Sequence, residues 1–112
     1  MSSGEERQGW LAREASALGV RWAQVTVQQM RQEGRVIDGG WPGTLPEARA
    51  QVRHILDSRL AKRGMRSLSN PELVTAARAT YEQARREWHK TVRVTAATRP
   101  RSREAELPES DD

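Results

Sequence analysis

Apolar residues recur at intervals of three and four over most of this chain, which is the spacing of a buried stripe along an α-helix. Four segments show the pattern, and a glycine closes three of them. The predicted helices cover residues 4–19, 21–33, 45–63 and 69–92. The sequence therefore predicts an all-α domain, a small four-helix fold made of two helical pairs.

The apolar stripes also predict which side chains form the core of the domain. In the first pair of helices they are Leu11, Ala15, Leu18, Val20, Ala23, Val27 and Met30. In the second pair they are Ala48, Val52, Ile55, Leu56, Leu60, Leu73, Ala77, Ala84 and Trp88, with either Tyr81 or Thr80.

A corner rich in glycine and proline, residues 34–46, separates the two pairs. It holds four of the eight glycines and two of the five prolines. Gly34 is expected to end the second helix in the left-handed conformation that only glycine adopts without strain. Thr44 and Glu47 have the spacing of a capping box, which predicts the start of the next helix. Trp41, inside the corner, either covers the core or stays exposed to meet a partner.

The helical pattern stops after residue 94. Residues 95–112 contain two prolines, few apolar side chains and blocks of opposite charge, which predicts a disordered charged tail. We therefore divide the chain into a helical domain, residues 1–94, and that tail. All 19 Lys and Arg side chains lie in residues 1–103 beside 10 acidic ones, a balance of +9, whereas residues 104–112 carry −5. The acidic segment either folds back to screen the basic body or solubilises the chain without touching it.

Composition argues against several classes of protein. The chain has no cysteine, its first residues are polar and acidic, and no apolar run reaches the roughly 20 residues of a membrane span. A cytoplasmic protein without a membrane partner is expected. His54 and Asp57 form a pair with no third ligand or nucleophile, so we expect no catalytic residue, metal site, cofactor or small-molecule substrate.

One candidate function is DNA binding. Residues 11–28 can be aligned with a helix-turn-helix motif whose turn is Leu18-Gly19-Val20, although Glu14 and Gln28 stand where the motif usually has apolar side chains. The second helix would then present one polar stripe to the DNA, because arginine and glutamine pair with base edges and phosphates. The candidate nucleic-acid-binding residues are Arg21, Gln24, Gln28, Arg31 and Arg35.

The other candidate function, which the sequence favours slightly, is protein interaction or assembly through helical surfaces. Four tryptophans are a large volume for a core of this size, so one or two are expected at the surface. Trp10, Trp41 and Trp88 are the candidate contacts with a protein partner or a second copy of the chain. Arginine supplies 17 of the 19 basic residues, and this excess reflects either polyanion binding or a GC-rich genome.

Overall fold

The computed structural model describes residues 3–98, which fold into three α-helices joined by two irregular connections. The helices are α1 (Ser3–Gln32), α2 (Leu45–Lys62) and α3 (Asn70–Thr98), and no strand occurs within this range. The prediction of an all-α fold is confirmed, whereas the prediction of four helices is wrong. Helix α3 continues through residues 95–98, where disorder was expected, and the rest of the predicted tail lies outside the described residues.

The predicted break after Gly19 does not occur, and α1 continues through it as a single helix of 30 residues. The reason for a glycine here is the neighbouring helix. A Cβ atom at position 19 would lie 2.4 Å from the carbonyl oxygen of Thr80 and 3.0 Å from the amide nitrogen of Ala84. Gly19 therefore permits the backbones of α1 and α3 to approach closely.

The other two glycine stops are confirmed. Gly34 and Gly64 have positive φ angles of 72° and 71°. After each of them, the next amide donates a hydrogen bond to the carbonyl five residues earlier, at 2.8 and 2.9 Å. This is the Schellman arrangement, which satisfies carbonyl groups at the end of a helix. Both helices end at these positions because of local backbone chemistry.

Reciprocal capping boxes start α2 and α3. The Thr44 amide donates to Glu47 Oε1 at 2.8 Å, and the Glu47 amide donates to Thr44 Oγ1 at 3.3 Å. Ser69 and Glu72 repeat the exchange at the start of α3, at 2.9 and 3.3 Å. Each exchange satisfies two backbone amides that lack a partner within the helix. The predicted starts are confirmed.

Helices α1 and α3 run parallel to each other. Arg7 forms an ion pair with Glu72, and the Thr80 hydroxyl donates to the Ala15 carbonyl at 2.8 Å. Both contacts join residues 65 positions apart, which requires that the two helices advance in the same direction. With only 18 residues, α2 is about 27 Å long and covers one half of this pair.

The half covered by α2 contains the larger apolar core, which all three helices share. Its buried side chains are Leu11, Ala15, Leu18, Ala48, Val52, Leu56, Leu60, Leu68, Leu73, Ala76 and Ala77. Thr80 is fully buried, whereas Tyr81 is partly buried, so the threonine fills the inward position that the sequence left open between them. Val20 and Ile55, also predicted to be inward, are half-buried.

The other half is covered by the connection between α1 and α2. Its Ile37 and Trp41 side chains pack with Ala23, Val27, Met30, Ala84 and Trp88 in a second buried cluster. The ring of Trp41 meets that of Trp22 edge-on at 4.9 Å and that of Trp88 at 5.7 Å. Trp41 therefore covers the core, which confirms one of the two alternatives for this residue.

Candidate polyanion-binding surface

The most buried polar cluster joins the start of α1 to the start of α3. Arg7 and Glu72 are each 7% exposed at the side chain. Arg7 Nε donates to Glu72 Oε2 at 2.9 Å, and Arg7 Nη2 donates to Oε1 at 3.0 Å. The same Nη2 reaches the carbonyl of Ser67 at 3.1 Å. This two-point geometry is the strong form of an arginine–carboxylate pair.

Further donors occupy the Glu72 carboxylate. It accepts hydrogen bonds from Gln8 Nε2 at 2.9 Å, from Arg66 and from the Ser69 amide. The hydrogen bond from Arg7 lowers the pKa of Glu72 far below its usual range, although burial acts in the opposite direction. A carboxylate held ionised by this many donors has no free position for a ligand, so we assign the cluster a structural role.

The pair considered from sequence, His54 and Asp57, is not formed as a unit. Asp57 Oδ1 accepts from the Leu68 amide at 2.8 Å, and Oδ2 accepts from Arg53 Nη1 at 3.4 Å. His54 is exposed on α2. Among residues 3–98, no group of three His, Asp or Glu side chains is placed to hold a metal ion.

A concentration of basic side chains lies on α3. Five basic side chains line one shallow groove there: Arg85, Arg86, His89, Lys90 and Arg93. Their spacing keeps them on one side of the helix, opposite the buried Ala84 and Trp88. We call this surface the α3 basic face.

The cations of the α3 basic face are available to a ligand. Arg85, Arg86, Lys90 and Arg93 are all exposed, and His89 is half-buried. The ion pairs found within residues 3–98 involve other arginines, at positions 7, 35, 53, 59 and 66. The polar contact found for Arg86 is to neutral Gln83. The face therefore presents four permanent positive charges, none of which forms an ion pair within 4 Å among residues 3–98, although Glu82 and Glu87 lie on the same helix.

The helix-turn-helix prediction is wrong, because Leu18, Gly19 and Val20 are helical and no turn separates two helices there. The five residues chosen for DNA binding are nevertheless exposed. Three of them line a groove between α1 and α3 together with Thr91: Gln24, Gln28 and Arg31. Thr91 adjoins Lys90 in the chain, so this groove and the α3 basic face lie in the same half of the molecule. Arg21 lies outside the groove, and Arg35 pairs with Glu33 at 3.2 Å.

The structure does not place the three candidate tryptophans on one surface. Trp88 and Trp41 are 1% and 9% exposed and belong to the second core cluster. Trp10 is half-buried at the surface, where the guanidinium carbon of Arg63 lies 4.9 Å above its ring. It lines a shallow depression with Glu14, Arg59 and Lys62. Of the three, Trp10 alone reaches a surface that a partner can contact.

The α3 basic face was not among the predicted sites, although the spacing of its basic residues in the sequence could have indicated it. Arg85, His89 and Arg93 are four residues apart, as are Arg86 and Lys90, and this spacing gives one helical face. Arg7 also carried a signal, because it lies one turn before Leu11 on the apolar stripe of α1. Its partner, however, is 65 residues away, and nothing local identifies it.

No protein-family model matches the chain, and comparisons with curated proteins and with solved structures find no significant similarity. None of the helices in residues 3–98 has the length and apolar character to cross a membrane. Function is therefore inferred from the geometry of the surface.

Proposed function

We propose that this protein is a non-enzymatic binding protein that holds duplex nucleic acid by its phosphates, through the α3 basic face. The observation that carries the proposal is a set of four cations on two turns of one helix, none of which pairs with a carboxylate in residues 3–98. Arg85 and Arg93 are about 12 Å apart along the helix axis. A single strand of DNA presents a phosphate about every 3.4 Å of axis, so several phosphates can face this span.

The groove between α1 and α3 supports the same proposal. Gln24, Gln28 and Arg31 supply hydrogen-bond donors in the same half of the molecule as the basic face. Contacts of this kind to phosphate and sugar position a duplex without identifying its sequence. We therefore propose binding with little sequence preference, in the cytoplasm, where such a ligand is available.

The positions of the tryptophans favour nucleic-acid binding over protein interaction, whereas the sequence slightly favoured protein interaction. A surface built on tryptophans would support a protein partner, but Trp41 and Trp88 fill the core. The large apolar side chains exposed among the described residues are scattered over all three helices and one connection and include no tryptophan: Val25, Val36, Leu45, Val74 and Val94.

A salt titration tests the proposal. Binding of the full chain to mixed-sequence duplex DNA should weaken as salt is added. A plot of the logarithm of the association constant against the logarithm of the salt concentration should be linear, with a slope of about −3.6 for four phosphate contacts. The double variant Arg85→Gln and Arg93→Gln should lower the affinity and make the slope shallower by about two units.

A matched control separates this face from general charge. Arg13→Gln and Arg49→Gln remove the same charge from exposed positions on α1 and α2. The control should keep the slope of the unchanged protein. An equal loss in both double variants would show that only net charge matters, and absence of binding at low salt would refute the proposal.

Trp10 supports a second candidate function, binding of a protein partner with an acidic surface. It is the candidate tryptophan left at the surface, in a depression lined by Arg59, Lys62, Arg63 and one carboxylate, Glu14, which pairs with Arg59. Tryptophan and arginine are enriched at the hot spots of protein interfaces. Trp10→Ala should abolish capture of such a partner. If the partner is a second copy of the chain, the substitution should abolish self-association measured by light scattering. Duplex binding should be unchanged in both cases. Association that persists in Trp10→Ala would refute this role.

A further inference from the structure

The α3 basic face lies on the helix that leads into the most acidic part of the chain. Helix α3 ends at Thr98, and residues 104–112 contain five carboxylates and no basic side chain: Glu104, Glu106, Glu109, Asp111 and Asp112. The face itself has four permanent cations and one histidine. Opposite charges of similar number are thus joined by ten residues, 94–103, of which the first five belong to α3.

We infer that residues 104–112 bind the α3 basic face of the same molecule and cover the surface that nucleic acid would use. The contact itself does not depend on the proposed function, whereas the competition with nucleic acid does. Such a contact would make the segment an internal competitor whose strength depends on salt.

The chain is long enough to make this contact. Arg93 lies five residues before Thr98, which is about 7.5 Å along the helix axis. Residues 99–103 span up to about 17 Å when extended, so Glu104 can reach Arg93. Residues 104–112 span up to about 30 Å when extended, which is more than the roughly 12 Å between Arg93 and Arg85.

Tethering makes weak contacts effective. Individual exposed ion pairs contribute little, and salt screens them. Because only five residues separate the segment from the end of α3, its effective concentration at the face is nevertheless on the order of millimolar. Three arginines in the connection, Arg99, Arg101 and Arg103, compete for the same carboxylates, and the experiment must separate the two destinations.

Paramagnetic labelling measures the contact directly in the full chain. Because the chain has no cysteine, Ser110→Cys provides a single attachment point for a nitroxide. At low salt, the amide resonances of residues 85–93 should broaden, whereas those of residues 49–53 on α2 should not. The broadening should disappear at high salt, and also when Arg85, Arg86, Lys90 and Arg93 are all changed to glutamine.

Two results of this experiment would overturn the inference. Broadening confined to residues 99–103 would show that the carboxylates pair with the neighbouring arginines. Broadening that appears when labelled chain is mixed with separate isotope-enriched chain would show that the segment binds a second copy.

Duplex binding then tests the competition. If the segment covers the face about 90% of the time, releasing it raises the apparent affinity up to about tenfold. The tail variant changes Glu104, Glu106 and Glu109 to glutamine. Its matched control removes three charges from exposed positions in the body, with Glu6→Gln, Glu33→Gln and Asp38→Asn.

The tail variant should gain clearly more affinity than its control. Equal gains would indicate general repulsion and would overturn the competition. If the broadening is present but no variant binds duplex at low salt, the contact stands and the proposed function fails.

Discussion

Gly19 controls how closely α1 and α3 pack. Replacing it with alanine favours the helix by about 1 kcal/mol because alanine has the higher propensity. The new Cβ, however, would lie 2.4 Å from a backbone oxygen of α3, and backbone cannot move aside cheaply. Gly19→Ala should therefore destabilise the protein by about 1–3 kcal/mol, measured as the free energy of unfolding in urea.

Gly9 provides the control for this substitution within the same helix. The nearest atom to a Cβ there is Arg13 Nη1 at 3.3 Å, the far end of a flexible side chain. Gly9→Ala should stabilise the protein by about 0.5–1 kcal/mol. If Gly19→Ala also stabilised the protein, the backbones of α1 and α3 would not be as close at Gly19 as the structure indicates.

Two buried tryptophans differ in how their indole nitrogens are satisfied. Trp88 Nε1 donates to the Gly39 carbonyl at 2.9 Å, whereas Trp41 Nε1 is buried with no partner among the described residues. Both substitutions to phenylalanine remove similar volume, but only Trp88→Phe loses a hydrogen bond. It should cost about 1 kcal/mol more than Trp41→Phe in urea unfolding. Equal costs would argue against the Trp88 hydrogen bond.

At the scale of the elements, the Arg7–Glu72 pair fastens α1 to the start of α3. Glu72→Gln leaves a buried guanidinium without its counter-charge and should destabilise the protein by about 3 kcal/mol or more. Glu14→Gln breaks a more exposed pair with Arg59 and should cost at most about 1 kcal/mol. A small loss at Glu72, measured in urea unfolding, would mean that the pair adds little to stability.

The same pair predicts a dependence on pH. The pKa of Glu72 is lower in the folded protein than its usual value of 4.5, so unfolding favours proton uptake by this group. Its stabilising contribution is complete above about pH 4.5 and is lost as the pH falls toward the folded value. The difference in unfolding free energy between the unchanged protein and Glu72→Gln should shrink over that range. A constant difference would contradict the assignment.

At the scale of the whole molecule, the two halves are covered differently. A helix covers the half around Leu11 and Leu18, whereas an irregular connection covers the half around Ala23 and Val27. Segments held by a loop open at lower free energy than segments held by packed helices. Amides of residues 23–31 should therefore exchange with solvent faster than those of residues 11–19.

Removal of the covering tryptophan provides a check on this difference. Trp41→Ala should speed exchange mainly in residues 23–31 and leave residues 11–19 close to their original rates. Uniform acceleration would show that the two halves unfold as one unit.

Helix α3 contributes both to the core and to the proposed binding surface. Its inward side packs in both core clusters, its outward side carries the basic face, and its end leads to the acidic segment. A helix fixed along its length by two cores is a rigid support for charged side chains. Rigid placement lowers the cost of ordering them on a ligand.

The sequence alone determined the features that depend on short-range chemistry. Gly34 and Gly64 end helices because of their own backbone freedom, and the box at Thr44 begins one because its partner is three residues away. The apolar stripes likewise identified most of the core. These features were predictable because the groups that satisfy them are neighbours in the chain.

Only the tertiary structure decided the features whose partners are distant. Glycine both ends helices and permits close packing, and the role of Gly19 was settled by Thr80 on another helix. Arg7 became a buried ion because Glu72 lies opposite it, and Trp41 became part of the core because α2 is too short to cover that half. In each case the deciding atom lies far along the chain, where no local pattern records it.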